Sequence, residues 1–263
     1  MQSPAERARD LGGYGAHFAE RGAYRVAVAG AASGIGLAVA QRLHTMRCTV
    51  LALDADAKGL RALEENCPGI AALRVDLLDD GATRATLAGL PAASAKLDAL
   101  INCVGITGRT NVPAAEVDIG EFDRIVTLNL RGALTLSQAV LPGMIERGYG
   151  RVLHVASIAG KEGNPGMAAY SASKAALIGL VKSMAKDCAT TGVTVNALAP
   201  AVIRTPLVDA LPQATVEYMT QRIPMQRCGT LEEAASMVAW IVSPACSFCT
   251  GFTFDLSGGR ATY

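Results

Sequence analysis

Tyr170 and Lys174 lie four residues apart in the run YSASK, a spacing that puts both side chains on one face of a helix. A free tyrosine has a pKa of about 10 and is a poor base at neutral pH, but a nearby lysine ammonium favours tyrosinate and lowers that pKa. Ser157 ends an apolar run thirteen residues before Tyr170, and its hydroxyl suits the binding of a substrate oxygen that gains charge. These residue types fit the removal of a hydroxyl proton from an alcohol while hydride leaves its carbon.

Asn129, in the run TLNL at residues 127–130, is the fourth candidate for this group. We expect it to hold a water chain that leads from Lys174 to solvent. Taken separately, each residue also has a structural interpretation, because a tyrosine and a lysine at this spacing are common on exposed helix faces and a serine often ends a strand. Their joint occurrence with the nucleotide-binding features described next favours catalysis.

A glycine-rich run, GAASGIG at residues 30–36, directly follows an apolar strand and opens a helical pattern. Glycine permits the tight turn and lets the backbone approach a pyrophosphate, and the free N–H groups of the helix N-terminus attract the phosphates. We expect Gly30, Ser33, Gly34, Ile35 and Gly36 to form this cradle, with the Ser33 hydroxyl either donating to phosphate or capping the helix. A glycine-rich turn that binds nothing is the alternative.

Asp54 ends the second predicted strand, 24 residues beyond Gly30. An acidic residue near this spacing accepts hydrogen bonds from the ribose hydroxyls of a dinucleotide and repels the extra phosphate of NADP. Since Ala55 and Asp56 supply no arginine, the sequence favours NAD over NADP. Asp76 and Leu77, after the third strand, are candidates for the adenine edge. Helix or loop capping is the alternative explanation for both aspartates.

Strand-length apolar runs alternate with helical patterns along the chain. Strands so apolar are covered on both faces, which predicts an α/β Rossmann-type doubly wound parallel sheet with helices on each side. The predicted strands span residues 25–30, 48–54, 71–75, 97–102, 150–157, 193–199 and 252–256. The predicted helices span residues 33–46, 58–66, 83–90, 118–147, 170–190 and 231–242. We expect one catalytic domain over residues 25–263, preceded by an extension of residues 1–24.

Composition excludes several classes of protein. A net charge of +1 gives no support for nucleic-acid binding, and no apolar run is long enough to span a membrane. The polar N-terminus lacks the apolar segment of a secretory signal, and seven scattered cysteines suit a reducing cytoplasm. We interpret Cys246 and Cys249 as packing residues, with a redox pair as the alternative. The three histidines have no metal-ligand spacing, so no metal site is expected.

Over about residues 25–258 the sequence resembles the short-chain dehydrogenase/reductase family. The family's cofactor loop T-G-x-x-x-G-I-G is similar to residues 29–36, with alanine for threonine, and its N-N-A-G segment to residues 102–105 (NCVG). Its P-G-x-I-x-T-P segment is similar to residues 200–206 (PAVIRTP). Its catalytic Asn, Ser, Tyr and Lys match the four candidates named above. The departures leave the proton-transfer residues intact.

The resemblance implies further site residues and an assembly. It places Asn102 and Gly105 on the ribose side of the cofactor, and Pro200, Ile203 and Thr205 at the nicotinamide end, where the last two contact the carboxamide. Tyr170 and Lys174 would also contact the cofactor. The family further implies the strand order 3-2-1-4-5-6-7 and a homotetramer, with a dimer as the alternative.

Three regions should surround a small-molecule substrate: the loop of residues 160–165 after Ser157, the loop of residues 106–111 after the fourth strand, and the segment from residue 204 to about 222, which should form a lid. They carry Arg109, Lys161, Asn164 and Arg204, which suit a hydroxylated or anionic compound such as a sugar or sugar acid. Solvation of the loop surface is the alternative. The chain's ending resembles that of bacterial family members that act on 2-keto-3-deoxy sugar acids. Fatty acyl or steroid ketones, an NADPH-dependent 3-oxoacyl carrier-protein reductase and a non-catalytic nucleotide-binding regulator stay open.

Overall fold

Seven parallel strands form the sheet, in the order β3-β2-β1-β4-β5-β6-β7. The computed structural model describes residues 17–18, 23–89, 96–210 and 212–263. The strands are β1 (Arg25–Ala29), β2 (Thr49–Asp54), β3 (Ala71–Arg74), β4 (Ala99–Asn102), β5 (Gly150–Val155), β6 (Val193–Pro200) and β7 (Thr253–Leu256). The predicted fold class and strand order are confirmed.

The described helices cover both faces of this sheet. The α-helices are α1 (Gly34–Thr45), α2 (Ala57–Asn66), α3 (Asp80–Ala88), α4 (Ile119–Val126), α5 (Gly132–Glu146), α6 (Ala159–Glu162), α7 (Ala168–Cys188), α8 (Pro206–Asp209), α9 (Gln213–Gln221) and α10 (Leu231–Ile241). A 3₁₀ turn spans Ala114–Glu116, and a π-helical segment spans Thr127–Arg131. The single helix predicted over residues 118–147 is therefore α4, the π segment and α5 in succession.

The alternation of residues in β1 explains why the strand is apolar at every position after Arg25. Val26 and Val28 face one layer of the core, which α1 and α10 cover. Ala27 and Ala29 face the opposite layer, beneath α5 and α7. Successive strand residues point to opposite faces, so a strand covered on both sides has no solvent-facing position. The same applies to β5 and β6, which are buried at every position.

Side-chain caps fix where several helices begin. The Asp79 carboxylate accepts a hydrogen bond from the Ala82 amide, and α3 accordingly starts three residues before the predicted helix. Thr230 and Glu233 form a reciprocal capping box at α10. Capping of this kind satisfies amide groups that would otherwise lack partners in the first helical turn.

The position of a ligand site follows from the strand order. The chain winds outward from β1 to β3, then returns to place β4 on the other side of β1. Val26 pairs with Val50 of β2 on one side and with Ala99 of β4 on the other. The connections therefore diverge above the carboxyl ends of β1 and β4, and open α/β sheets bind ligands in the crevice that this divergence leaves.

Parts of three predicted segments lie outside the described residues. These are residues 1–16 and 19–22 of the N-terminal extension, residue 90 of the helix predicted over 83–90 and residue 211 of the lid. Phe18 of the extension packs against Tyr24, with ring centroids 4.9 Å apart. Within the described part of the chain, helices are too short or too polar to cross a bilayer, and no group of three or more potential metal ligands occurs.

Candidate active site

The glycine loop between β1 and α1 has the backbone geometry that phosphate binding requires. Gly30 has a φ of +80°, a conformation that side chains rarely adopt, and its amide donates to the Leu53 carbonyl at 2.8 Å. A Cβ atom on Gly36 would collide with the Gly30 carbonyl. Glycine at these two positions therefore lets the chain turn tightly from the strand into the helix.

The N-terminus of α1 faces the crevice with a free hydroxyl beside it. Ser33 occupies the N-cap position in extended conformation, but its side chain forms no capping hydrogen bond, and the residue is exposed. The two roles predicted for the Ser33 hydroxyl were helix capping and phosphate binding. Since the hydroxyl does not cap α1, it is available to a ligand. Together with the first-turn amide groups, it can bind a phosphate.

A cavity of about 760 Å³ lies above the carboxyl ends of β1, β2 and β4. Its lining includes these predicted cofactor residues: Gly30, Ser33, Gly34, Ile35, Gly36, Asp54, Asp76, Leu77, Gly105 and Thr205. The cavity is also lined by residues that the sequence patterns did not indicate, among them Cys103, Val104, Ile106, Arg124, Leu128 and Pro206. Most of these residues are apolar and directly follow a strand or a motif. Their position after β4 or at the start of the lid was the feature of the sequence that could have identified them as cavity residues.

Asp54 lies at the wall of this cavity, and both of its carboxylate oxygens already accept an amide hydrogen bond. Oδ2 accepts from Ala32 at 2.9 Å and Oδ1 from Asp56 at 3.0 Å. Each oxygen retains a lone pair for a ribose hydroxyl. The Asp54 side chain therefore braces the glycine loop and still offers negative charge to a ligand, whereas Asp56 provides the cap of α2.

Two arginines were overlooked in the argument for NAD. Arg74 pairs with Asp54 in the sheet, and its Nε donates to the Ala55 carbonyl at 3.2 Å. Arg124 of α4 lines the cavity, and it is the one basic residue among the described residues of that lining. Arg74 is thus close in space to the acidic strand end although twenty residues separate it from Asp54.

Ser157 and Tyr170 meet at the end of β5. The Ser157 hydroxyl accepts a hydrogen bond from the Ala159 amide at 3.1 Å, and Tyr170 lies in the first turn of α7. Burial raises the pKa of Tyr170, and hydrogen bonding with Ser157 only partly opposes that rise. The sequence predicted a lowered tyrosine pKa, and this was wrong for the protein alone, because loss of solvent outweighs the hydrogen bond with Ser157.

Lys174 is buried beneath this pair. Its Nζ donates to the main-chain oxygen of Val155 at 2.7 Å and lies 5.8 Å from the centre of the Tyr170 ring. Burial lowers the pKa of Lys174 to about 8, so the ammonium form still predominates at neutral pH. A Cβ atom on Gly105 would stand only 3.0 Å from this nitrogen, which shows how closely the loop after β4 covers it.

Asn129 lies in the π-helical segment and is fully buried. Its Oδ1 accepts from the Ile106 amide at 2.9 Å, and its Nδ2 donates to the Ile106 carbonyl at 2.9 Å and to the Ser173 hydroxyl at 3.0 Å. The Ser173 hydroxyl in turn donates to the Tyr170 carbonyl at 2.8 Å. Asn129 therefore joins the loop after β4 to α7, and the water chain expected there stays a prediction.

His154 is a buried polar residue whose role the sequence argument missed. The Ser137 hydroxyl donates to the Ala133 carbonyl at 2.8 Å, so it can accept from Nε2 of His154, 3.0 Å away. Nδ1 is then free to accept from Asn102 Nδ2 at 3.3 Å, while Asn102 Oδ1 accepts from the Val104 amide at 3.0 Å. Burial, aided by the charge of Lys174, lowers the pKa of His154 to about 3, so the ring is neutral.

The remaining predicted cofactor residues occupy the loop after β6. Pro200 ends the strand, Ile203 is buried and bridges to Gly229, and the Thr205 hydroxyl caps α8 by accepting from the Val208 amide at 3.4 Å. Pro200, Ile203, Asn102 and the four catalytic candidates do not line the large cavity among its described residues. Thr205 does line it, and thus places the start of the lid beside the glycine loop.

The four predicted substrate residues all have partners within the protein. Arg109 pairs with Glu121 at 2.9 Å, and Arg204 pairs with Asp209 at 2.7 Å. Two further contacts, Lys161 with Asp255 at 2.9 Å and Asn164 with Arg260 at 2.9 Å, involve the C-terminal segment. The side chains of Arg109 and Arg204 are 66% and 64% exposed, whereas that of Lys161 is 8% exposed.

Comparison with known proteins identifies the family. A family model described as enoyl-(acyl carrier protein) reductase matches residues 30–261. The chain belongs to the short-chain dehydrogenase/reductase family, as the resemblance predicted, and it is an oxidoreductase.

Individual relatives are similar over almost the whole chain. The 2-dehydro-3-deoxy-L-rhamnonate dehydrogenase (NAD(+)) of Sphingomonas sp. strain SKA58 is 44% identical over 94% of this chain and 99% of its own. A 3-oxoacyl-[acyl-carrier-protein] reductase of Rickettsia prowazekii is 35% identical over 88% and 94%. The crystal structure of such a reductase from Brucella melitensis superposes with a TM-score of 0.83 at 31% identity, covering 91% of this chain and 92% of that one.

Proposed function

We propose that the protein uses NAD to oxidise a secondary alcohol of a small sugar acid, of the 2-keto-3-deoxy type, to the ketone, and catalyses the reverse reduction. The observation that carries this proposal is the meeting of Ser157, Tyr170 and Lys174 at the carboxyl edge of the sheet, beside a dinucleotide-sized cavity with Asp54 in its wall. The 44% identical NAD-dependent sugar-acid dehydrogenase supports the choice of cofactor and substrate.

The cavity residues fit NAD. The glycine loop and the N-terminus of α1 would hold the pyrophosphate, and Asp54 would accept from the ribose hydroxyls while its charge repels a ribose phosphate. Asp76 and Leu77 would border the adenine, and the predicted residues of the loops after β4 and β6 would hold the nicotinamide end. When bound, NAD accepts the hydride that leaves the substrate carbon.

The catalytic side chains would manage the proton and the oxygen of the substrate. The Ser157 hydroxyl holds the substrate oxygen, and the Tyr170 phenolate accepts its proton during oxidation; the neutral phenol returns it during reduction. Lys174 supplies a positive charge that favours phenolate, and the Val155 carbonyl fixes the position of this charge. Asn129 holds the helix and the covering loop in register.

A substrate carboxylate needs an accessible cation. Among the four proposed substrate residues, Arg109 and Arg204 are the best placed for this role, because each bonds its carboxylate partner through Nε while most of the side chain is exposed. Lys161 and Asn164 would act as part of the wall of the substrate site.

We also propose that the protein is a cytoplasmic homotetramer. β7 is an edge strand, and two aromatic side chains beside it are strongly exposed, Phe252 by 57% and Phe248 by 102%. An open edge and exposed aromatic groups favour association with a second copy. A mass measurement in solution tests the tetramer, and a monomer or a dimer would contradict it.

A second candidate function is the reduction of a 3-oxoacyl group on a carrier protein. The similarity to 3-oxoacyl reductases, at 35% identity, favours this candidate, and Arg74 beside Asp54 is the residue that could accommodate NADPH.

The decisive experiment follows nicotinamide absorbance in the purified protein. NAD or NADP is supplied with sugars, 2-keto-3-deoxy sugar acids and hydroxyacyl esters, and NADH or NADPH with the corresponding ketones. Turnover of a sugar acid with NAD is expected. Turnover restricted to NADP and hydroxyacyl esters would contradict the proposal in favour of the second candidate.

A further inference from the structure

Three C-terminal residues contact the loop that follows Ser157. We call Asp255, Arg260 and Tyr263, with their partners Lys161 and Glu162, the C-terminal clamp. Both carboxylate oxygens of Asp255 accept from Lys161 Nζ, at 3.0 and 2.9 Å, and the lysine side chain is only 8% exposed. A buried ammonium bound by two oxygens is far less screened than a surface pair.

Arg260 makes the second connection. Its Nε donates to Glu162 Oε2 at 3.1 Å and its Nη2 to Asn164 Oδ1 at 2.9 Å. The Arg260 side chain is 11% exposed and that of Glu162 is 26% exposed. Loss of either partner would leave a largely desolvated charge without compensation.

Tyr263, near the chain end, makes the third connection. Its hydroxyl donates to the Lys161 carbonyl at 2.6 Å, and Lys161 Nζ lies 4.7 Å from the centre of its ring. The C-terminal segment thus contacts both the main chain and the side chain of Lys161.

The clamped loop links the two catalytic residues. α6 begins two residues after Ser157, and the Asn164 amide donates to the hydroxyl of Ser171, the neighbour of Tyr170, at 3.1 Å. Movement of this loop would therefore displace the main chain that lies between Ser157 and Tyr170.

The same C-terminal segment contacts the chain on either side of the lid. The Ala201 amide donates to the Leu256 carbonyl at 2.9 Å, and the Met225 amide donates to the Gly258 carbonyl at 3.1 Å. Residues 255–263 therefore contact the chain both before and after the lid, although they lie far from the proposed catalytic residues in sequence.

We propose that Arg260 is a positioning residue, which holds the loop of residues 159–164 in place and thereby sets the affinity for substrate without contacting it. This inference rests on the proposed dehydrogenase function for its kinetic consequence. In this proposal Lys161 and Asn164 support the site rather than contact the substrate. Other cations would then bind the substrate carboxylate.

The test compares Arg260→Ala, Arg260→Lys, Glu162→Gln and the Arg260→Ala/Glu162→Gln double variant with wild type. Arg42→Ala is the matched control, because Arg42 forms a 2.8 Å pair with Glu232 at another surface. For Arg260→Ala we expect the KM for the substrate to rise about tenfold, a much smaller change in kcat and an unchanged Kd for NADH. Lysine should recover part of the loss, and the double variant should lose less than the sum of the two single variants.

Hydrogen exchange over residues 158–168 gives a reading that needs no substrate. Exchange there should accelerate in Arg260→Ala and stay as in wild type for Arg42→Ala. Unchanged exchange, or a KM equal to that of the control, would overturn the inference, as would an equal loss of NADH binding. If no substrate turned over in wild type, the proposed function would fail, while the exchange measurement would still decide whether Arg260 holds the loop.

Discussion

Lys174 Nζ lies 5.8 Å from the centre of the Tyr170 ring, one turn further along the same helix. The Val155 carbonyl, which accepts from this ammonium at 2.7 Å, lies two residues before Ser157. The end of β5 therefore positions both the ammonium group proposed to assist the phenol and the hydroxyl proposed to bind the substrate oxygen. The relative placement of these groups depends on how α7 packs against the sheet, chiefly on β6 beside β5.

Replacement of Tyr170 by phenylalanine should remove the proton-transfer group and little else. We expect turnover to fall by about 10²- to 10⁴-fold, the usual contribution of a general acid–base, while the affinity for NADH is largely kept. Steady-state rates and fluorescence titration with NADH measure the two quantities. Tyr149→Phe, at the amino end of β5, is the control and should keep its activity. Retained turnover in Tyr170→Phe would remove Tyr170 from its assigned role.

The two directions of the reaction should respond differently to pH. Because burial raises the pKa of Tyr170, its phenol is neutral at pH 7 and the base form increases as pH rises. Oxidation, which needs the base, should accelerate between pH 6 and 8 and level off above about pH 8, where Lys174 loses the charge that favours phenolate. Reduction, which needs the acid, should change little over the same range, because a phenol with a raised pKa stays protonated. Profiles of kcat/KM measured from pH 6 to 10 check this, and parallel profiles in both directions would contradict it.

Removal of the negative charge at Asp54 should weaken discrimination between the two nicotinamide cofactors. Asp54→Asn keeps an acceptor for the Ala32 amide but loses the charged acceptor for ribose. We expect the Kd for NADH to rise roughly 10- to 100-fold, as for a lost charged hydrogen bond, and NADPH binding to improve relative to it. Asp187→Asn, on the exposed surface of α7, is the control. An unchanged NADH/NADPH preference in Asp54→Asn would show that Asp54 only braces the loop.

The buried neutral His154 should make the protein less stable in acid. Its pKa is lowered to about 3 in the folded state, against 6.5 for the free group, so the unfolded chain binds more protons between these values. The free energy of unfolding therefore falls as pH drops below 6.5, by about 2 kcal/mol at pH 5 from this residue alone.

His154→Asn should reduce that pH dependence, measured as the difference in unfolding free energy between pH 7 and pH 5. The absolute stability should fall as well, because the smaller side chain leaves a gap, so the difference between the two pH values is the relevant quantity. His44→Gln serves as the control. An equal pH dependence in wild type and His154→Asn would mean that the ring is not held neutral.

The parts of the site that the sequence predicted are those that local motifs form. The glycine loop, Asp54 and the Tyr170–Lys174 spacing each lie within one strand–helix unit, so short sequence runs carry their geometry. The strands were recognisable for a similar reason, because burial on both faces demands apolar residues throughout.

Other features required the packed structure. The π segment around Asn129 interrupts what the sequence presents as one continuous helical pattern. The partners of Lys161 and Arg260 are 94 and 98 residues away, and no local pattern pairs them. Two of the four residues predicted to contact substrate, Lys161 and Asn164, consequently bind residues of the C-terminal clamp instead.

By itself, the amino-acid sequence predicted the doubly wound parallel sheet, the nucleotide cradle and the candidate proton-transfer residues, because these depend on periodicity and on short motifs, whereas the strand order followed from the family resemblance. Only the tertiary structure decided the neutral state of Tyr170 and His154 and the pairing of the loop charges. A pKa depends on how much solvent the fold removes and on which charges it brings near, and both are properties of the assembled chain.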